Sequence, residues 1–228
     1  MPDFLILKLQ GVMQSWGEHT YEGLRPSANF PTRSALVGLL GACLGIERTD
    51  SDTQQDLADS FQYAARRDTE KPVWVLNADE MQWKYFTMIK ITDYHTVKNA
   101  RKEYAGLQSH ETIQTWREYL LDAAFTVALW NTEQAVFSLD KIKEALMKPE
   151  YTPFLGRRSC PLGRPLFDSR VSAENVEQAL LQCPPANGVI YSEQAIKGAR
   201  KIKIRDVPLT RQPRQFASRM VYISGSGG

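Results

Sequence analysis

Cysteine is scarce. Cys43, Cys160 and Cys183 are the only three in 228 residues, and no CxxC pair occurs. A disulfide framework and the usual zinc-site spacing are both excluded, and a reducing compartment is expected. Histidine is equally scarce. His19, His95 and His110 lack helical metal spacing and have no carboxylate cluster beside them. No metal and no cofactor are therefore expected. Long apolar runs are missing too. The N-terminal "MPDFLILKLQG" is too short to span a bilayer, and it lacks the basic start and cleavage site of a signal peptide. It reads as a strand, in a cytoplasmic protein.

What is present is an uneven spread of charge. The net charge is only +2. From Glu47 to Glu70, seven acidic residues face three basic ones. From Lys197 to Arg219, eight basic residues face Asp206 alone. Such asymmetry suggests an anionic partner for the C-terminal third, or a solvated basic face.

Residues 4–9 alternate as a strand should. A turn-rich stretch follows, in which Trp16, Tyr21 and Arg25 are expected to be exposed. "TRSALVGLLGACLGI" reads as a helix capped by Thr32 or Ser34 and ended by Gly45, with Leu36, Leu39, Leu40, Cys43 and Leu44 on one face. Gly38 and Gly41 within it suggest a close backbone neighbour, and no Gly-Lys-Ser/Thr makes it a phosphate loop. The acidic "RTDSDTQQDLADS" reads as a helix end and loop. "FQYAARR", "VWVLN", "WKYFTMIKI" and "AAFTVALW" read as strands. Residues 93–120 show no period until their end and read as a long protruding excursion. Ser138 caps a helix over "LDKIKEALM". A short helix from Ala173 to Leu181, capped by Ser172, precedes strands near "GVIYS", "KIKIR" and "RMVYI".

This order gives an α+β fold: the split βαβ arrangement of a ferredoxin-like domain, with an antiparallel sheet and helices on one face. The domain is expected over residues 1–165, with a small β-rich part over 166–224. The closing "GSGG", 225–228, is a tag or a linker.

Two chemistries compete. Tyr94, His95, Lys98 and His110 could cleave RNA without metal, a histidine activating the 2′-hydroxyl while a partner protonates the leaving oxygen. Cys160 has no histidine near it in sequence and reads as a buried thiol. RNA binding collects more residues. Arginine and lysine hold phosphates, and aromatic rings and guanidinium planes stack on splayed bases. The chain interleaves both types around Trp16, Tyr21 and Arg25, around Tyr94 to Arg117, and in "YTPFLGRRSCPLG" at 151–163. In that last loop Gly156 permits a turn beside Arg157 and Arg158.

"FPTRSALVGLLGACLGI", "DYHTV", "SHETIQTWREYL", "FTVALW", "YTPFLGRRSCPL" and "PRQFASR" together resemble the fifth-family CRISPR-associated RAMP proteins of the type I-E Cascade, from about Phe4 to Tyr222. The resemblance implies a ferredoxin-like, RRM-like domain with a projecting thumb at about 94–117 and a glycine-rich loop at 155–160. It implies a subunit that holds the 5′ handle of the mature crRNA and does not process the precursor. Its partners would be the backbone subunit and the large subunit, with target DNA met indirectly through the complex. RNA contacts would come from Gln14, Trp16, Arg25, Arg33, Ser34, His95, Arg101, Lys102, Tyr104, His110, Arg117, Tyr151, Gly156, Arg157, Arg158 and Ser159. Residues 69–90 fit the family pattern poorly and suggest a longer hairpin before the thumb.

Overall fold

The computed structural model describes the chain apart from residues 19, 21–22, 70–72, 78–79, 85–87, 99–111, 212–213 and 226–228. For 73–77, 80–84, 210–211 and 214 it describes the backbone alone. The elements run β1 (Asp3–Gln10), β2 (Met13–Gln14), β3 (Trp16–Gly17), β4 (Leu24–Arg25), β5 (Ser27–Ala28), α1 (Arg33–Leu44), α2 (Ser51–Ser60) and β6 (Phe61–Asp68). Next come β7 (Val73–Asn77), β8 (Glu80–Lys84), β9 (Ile89–Lys98), β10 (Thr112–Leu121), β11 (Ala124–Asn131) and α3 (Leu139–Met147). The chain closes with β12 (Phe167–Ser172), α4 (Val176–Leu181), β13 (Gly188–Ser192), β14 (Arg200–Arg211) and β15 (Arg214–Ser224).

Seven strands form one antiparallel sheet in the order β12-β1-β11-β6-β13-β15-β14. Strand β1 sits inside it and is buried almost throughout. Its alternation sorts side chains to two faces. Leu5, Leu7 and Leu9 join a core shared with α1 and α3, through Leu36, Leu40, Ile142 and Leu146. Phe4 and Ile6 join Val176, Ala179 and Leu180 of α4 on the reverse face. Helices on one face were expected of the domain over residues 1–165, and α1 and α3 share one face; α4, from beyond residue 165, covers the second, because Phe4, Ile6, Ala64 and Ala128 make it apolar as well.

Buried charge fixes α4 in place. Arg66, 1% exposed, donates to the carbonyls of Leu180 and Cys183 at the helix's C-terminal end. Asp68 balances it at 2.7 Å, and Lys8 reaches Thr126 at 2.7 Å and Asp68 at 3.8 Å. Cations suit that end of a helix. A second network ties β14 and β15 to α1. Arg33 and Arg219 both pair with Glu193, at 2.6 and 3.0 Å, and Arg219 also pairs with Asp206 at 2.6 Å. Asp206 accepts the backbone N–H of Arg33, the first residue of α1.

Local signals explain most boundaries. Ser138 accepts the N–H of Lys141 to start α3, and Gly45 ends α1 at φ 73°. Three expectations change. The acidic stretch read as a helix end and loop is helix α2, because Asp50 accepts the Thr53 N–H, while Gln54, Leu57, Ala58 and Ser60 turn inward. Asn175, not Ser172, caps α4. Among the described residues no other backbone approaches Gly38, and Gly41 faces only the Leu57 and Ile46 side chains. The 69–90 stretch contains the hairpin β7–β8. No helix among the described residues is long and apolar enough to cross a membrane.

Candidate nucleic-acid interface

The polar excursion is a hairpin. Strands β9 and β10 pair without a break from Ile89↔Leu121 to Lys98↔Thr112. Directly opposed residues share a face. One face therefore carries Ile91 and Tyr119, Asp93 and Arg117, then His95 and Thr115. The other carries Tyr94 and Trp116, Thr92 and Glu118. Most of β9 is exposed on both faces, which is why no burial period marks it. On its far side β10 pairs with β4, placing Arg25 against Arg117 in the register.

The glycine loop packs at the hairpin's foot. Gly156 takes φ 88°, and a Cβ there would lie 1.7 Å from the carbonyl oxygen of Ser15. No other residue fits that backbone. The Leu155 carbonyl accepts the Ser15 N–H at 3.0 Å, and the Cys160 carbonyl accepts the Leu155 N–H at 2.8 Å. Leu155 and Cys160 are fully buried beneath the turn. Burial pushes the Cys160 thiol up, so it stays protonated, as expected for a structural cysteine.

The two arginines separate. Arg157 lies with its guanidinium 4.8 Å from the Tyr119 ring centre and donates to the carbonyls of Glu118 and Arg25, both at 3.0 Å. It clamps the loop to β10 and β4. Arg158 and Ser159 are exposed, and Arg158 makes no hydrogen bond or ion pair among the described residues. Glu118 is the junction. Its carbonyl accepts from Arg157 and from Ser15 Oγ; its carboxylate accepts the Ser27 N–H at 2.9 Å and meets Lys90 at 3.1 Å. Burial raises the Glu118 carboxyl, but the Ser27 N–H and Lys90 outweigh it and hold the group below the usual carboxylate range.

The structure thus brings Arg25, His95, Arg117, Gly156, Arg157, Arg158 and Ser159 onto the hairpin face and the loop at its foot. Arg117 donates to Thr115 at 3.1 Å, and His95 Nε2 lies 2.5 Å from the Asp93 carboxylate without an aligned hydrogen bond. Four expected residues serve the fold instead. Trp16 is fully buried edge-on to Phe125 at 6.3 Å, so its ring is closed to a base. Gln14, also fully buried, accepts from Trp16 and donates to the Leu9 and Ala123 carbonyls. The guanidinium of Arg33 is consumed by Glu193, Phe61 and Ala58. Ser34 is half-buried beside Thr32 at the start of α1. Tyr151 is exposed but bonded to Glu47 beyond α1, apart from the hairpin. Arg101, Lys102, Tyr104 and His110 lie outside the described residues. Tyr119, Glu118 and Lys90 were missed, because their roles depend on a register that no short spacing reveals.

Among the described residues no cluster of histidine, cysteine and carboxylate side chains could hold a metal ion. The exposed Tyr94 and Trp116 rings, 5.5 Å apart, offer a stacking surface on the hairpin's other face.

Similarity to known proteins agrees with this arrangement. The chain is 50% identical over 228 residues to the "CRISPR system Cascade subunit CasD" of Escherichia coli (strain K12), covering all of this chain and 98% of that one. Among solved structures, a chain of a "CRISPR RNA-guided surveillance complex" superposes with TM-score 0.69 at 26% identity, covering 97% of this chain and 89% of that one. A "Crystal structure of Cas protein" superposes with TM-score 0.62 at 24% identity, covering 97% and 93%, and shares the fold. Residues 4–222 match the family described as CRISPR-associated protein (Cas_Cas5), and the chain belongs to that family.

Proposed function

We propose that this chain is a non-catalytic subunit of a type I-E Cascade surveillance complex that holds the 5′ handle of the mature crRNA and caps that end of the particle. The observation that carries the reading is the glycine loop. Gly156 is fixed against Ser15, Arg157 is spent on bracing, and Arg158 and Ser159 stand exposed beside the basic hairpin face. Phosphates passing there meet Arg25, Arg117 and Arg158, which supply affinity that falls with salt; bases meeting the exposed rings and polar groups supply specificity. The names borne by the relatives support the assignment.

The order β12-β1-β11-β6 is the order fourth-first-third-second among the strands of a split βαβ unit, which supports the ferredoxin-like reading. In this reading residues 1–165 carry the RNA surface, with the thumb at about 94–117, and residues 166–224 complete the sheet. The backbone subunit and the large subunit flank it, in the cytoplasm, and target DNA is met through the assembled complex. Crosslinking of the particle followed by mass spectrometry tests this. Handle adducts are expected on the glycine loop and hairpin, and an adduct-free loop refutes the assignment. Specific cleavage of repeat RNA in EDTA, lost in His95→Ala, would replace it with a metal-independent endoribonuclease.

A further inference from the structure

The basic C-terminal third divides into an inner and an outer set. Arg219 turns inward to Asp206 and Glu193. Lys201, Lys203 and Arg205 of β14 turn outward, and the register sets Tyr222, Met220 and Ser218 of β15 directly opposite them. Ile202, Ile204 and Val221 on the alternate positions pack into the core, which fixes this outward face. All three cations are exposed, and Lys197 and Arg200 nearby are exposed too. Among the described residues no carboxylate lies within ion-pair reach of Lys201, Lys203 or Arg205. Alternate strand positions repeat at about 6.7 Å. The three residues thus follow one another along the outer face, with Arg205 Nε donating to the Phe216 carbonyl at 2.8 Å, a spacing suited to successive phosphates.

This stripe is separate from the loop described above. Tyr222 lies opposite Ser192, and Ser224 opposite Ile190, whose side chain packs on the α4 side of the sheet. Leu155 and Cys160 anchor the glycine loop in the core of the other side. A ligand at the loop leaves the stripe open.

We propose that the outer face of β14–β15 is a second nucleic-acid surface, which docks the phosphate backbone of duplex DNA. Single strands are held by cations together with free aromatic rings. Here Tyr222 is half-buried with Lys201 over it at 5.6 Å, and Phe216, on the same face beyond Ser218, is half-buried too, so among the described residues no open stacking platform remains. Duplex RNA is recognised through its 2′-hydroxyls, which call for polar side chains. Among the described residues Ser218 is the only hydroxyl on the stripe that stands exposed. Charge without stacking or base-reading groups matches sequence-independent contact with a DNA duplex. An acidic protein would meet the same cations through its carboxylates, and competition by polyglutamate reads that outcome.

The test measures anisotropy of a labelled DNA duplex of about two helical turns, across salt from about 50 to 200 mM. The full chain is compared with the triple variant Lys201→Ser, Lys203→Ser, Arg205→Ser. The variant is expected to bind at least about tenfold more weakly and to flatten the salt slope by about 3. Lys201→Arg with Lys203→Arg is expected to bind like the parent. The single reversal Lys203→Glu gives the same direction if the triple variant fails to fold. Binding of single-stranded handle RNA, read in parallel, is expected to stay unchanged, so failure here and failure at the loop are distinguishable. Unchanged duplex binding, no duplex binding by the parent, tighter binding of an RNA duplex, or equal competition by polyglutamate each overturns the proposal.

Discussion

Arg157 and Arg158 are adjacent and chemically identical, yet the structure gives them opposite work, and replacing each by alanine separates the two roles. Arg157 donates to two carbonyls and lies over Tyr119. Truncation leaves the Glu118 carbonyl with Ser15 Oγ, but strips this donor from the Arg25 carbonyl. Hydrogen bonds from a charged donor contribute about 1.5–3 kcal/mol each where buried, and this site is only half-buried, so Arg157→Ala is expected to cost about 2–3 kcal/mol in all. For a chain of this length the melting temperature should fall by about 5–10 °C. Arg158 is exposed and unpaired among the described residues, so Arg158→Ala should stay within about 0.5 kcal/mol of the parent. Its effect should instead appear in binding of single-stranded handle RNA, with a salt slope shallower by about 0.7. Arg157→Lys keeps the charge without the planar fork and should fall between parent and alanine in stability. Calorimetric melting paired with filter binding at several salt concentrations reads both effects. A melting temperature unchanged in Arg157→Ala, or a larger drop in Arg158→Ala, refutes the division of labour.

Three further outcomes follow from the same site. Gly156→Ala should unseat the loop, because its Cβ would occupy the Ser15 carbonyl; the loss of protection from proteolysis after Arg157 or Arg158 reads it directly. Glu118 has a folded pKa below its ordinary value, so its contribution is complete above the ordinary carboxylate range and is lost as pH falls through the lowered value. Protection from hydrogen exchange at the hairpin foot, relative to the intrinsic rates, should therefore be steady near neutrality and fall below about pH 4, whereas Glu118→Gln should be less protected already at neutral pH. Trp16→Ala should cost about 3–5 kcal/mol, while Trp116→Ala should barely move stability and should weaken the tryptophan quenching expected when handle RNA is added.

Strands and caps set by near neighbours were readable in the sequence. Residues 4–9, the Gly45 stop and the Ser138 cap need only a few adjacent residues to explain them. Helix α2 escaped because only Leu57 and Ala58, with the polar Gln54 and Ser60, mark its inner side within a polar run. The hairpin escaped because solvent on both faces erases the period of two. Nothing local tells whether Trp16 is a core anchor or a surface platform; Phe125, more than a hundred residues away, decides it. The residues of the site were legible as types, and the loop as a loop. Which cation braces and which reaches outward depends on Glu118, Arg25 and Glu193, and these arrive through tertiary contacts.

Glu118 ties its neighbours in two different currencies. Its carbonyl holds the glycine loop, and its carboxylate holds the strap before α1 and the Lys90 end of the hairpin. Only the second tie is written in the side chain. Substitution at this position can therefore release the strap while the loop stays fastened, since every residue brings a carbonyl. A lineage could drift at position 118 and retune how stiffly the hairpin stands, without loosening the turn that supports its foot. Evolutionary freedom and mechanical rigidity are thereby divided between the two ends of one residue.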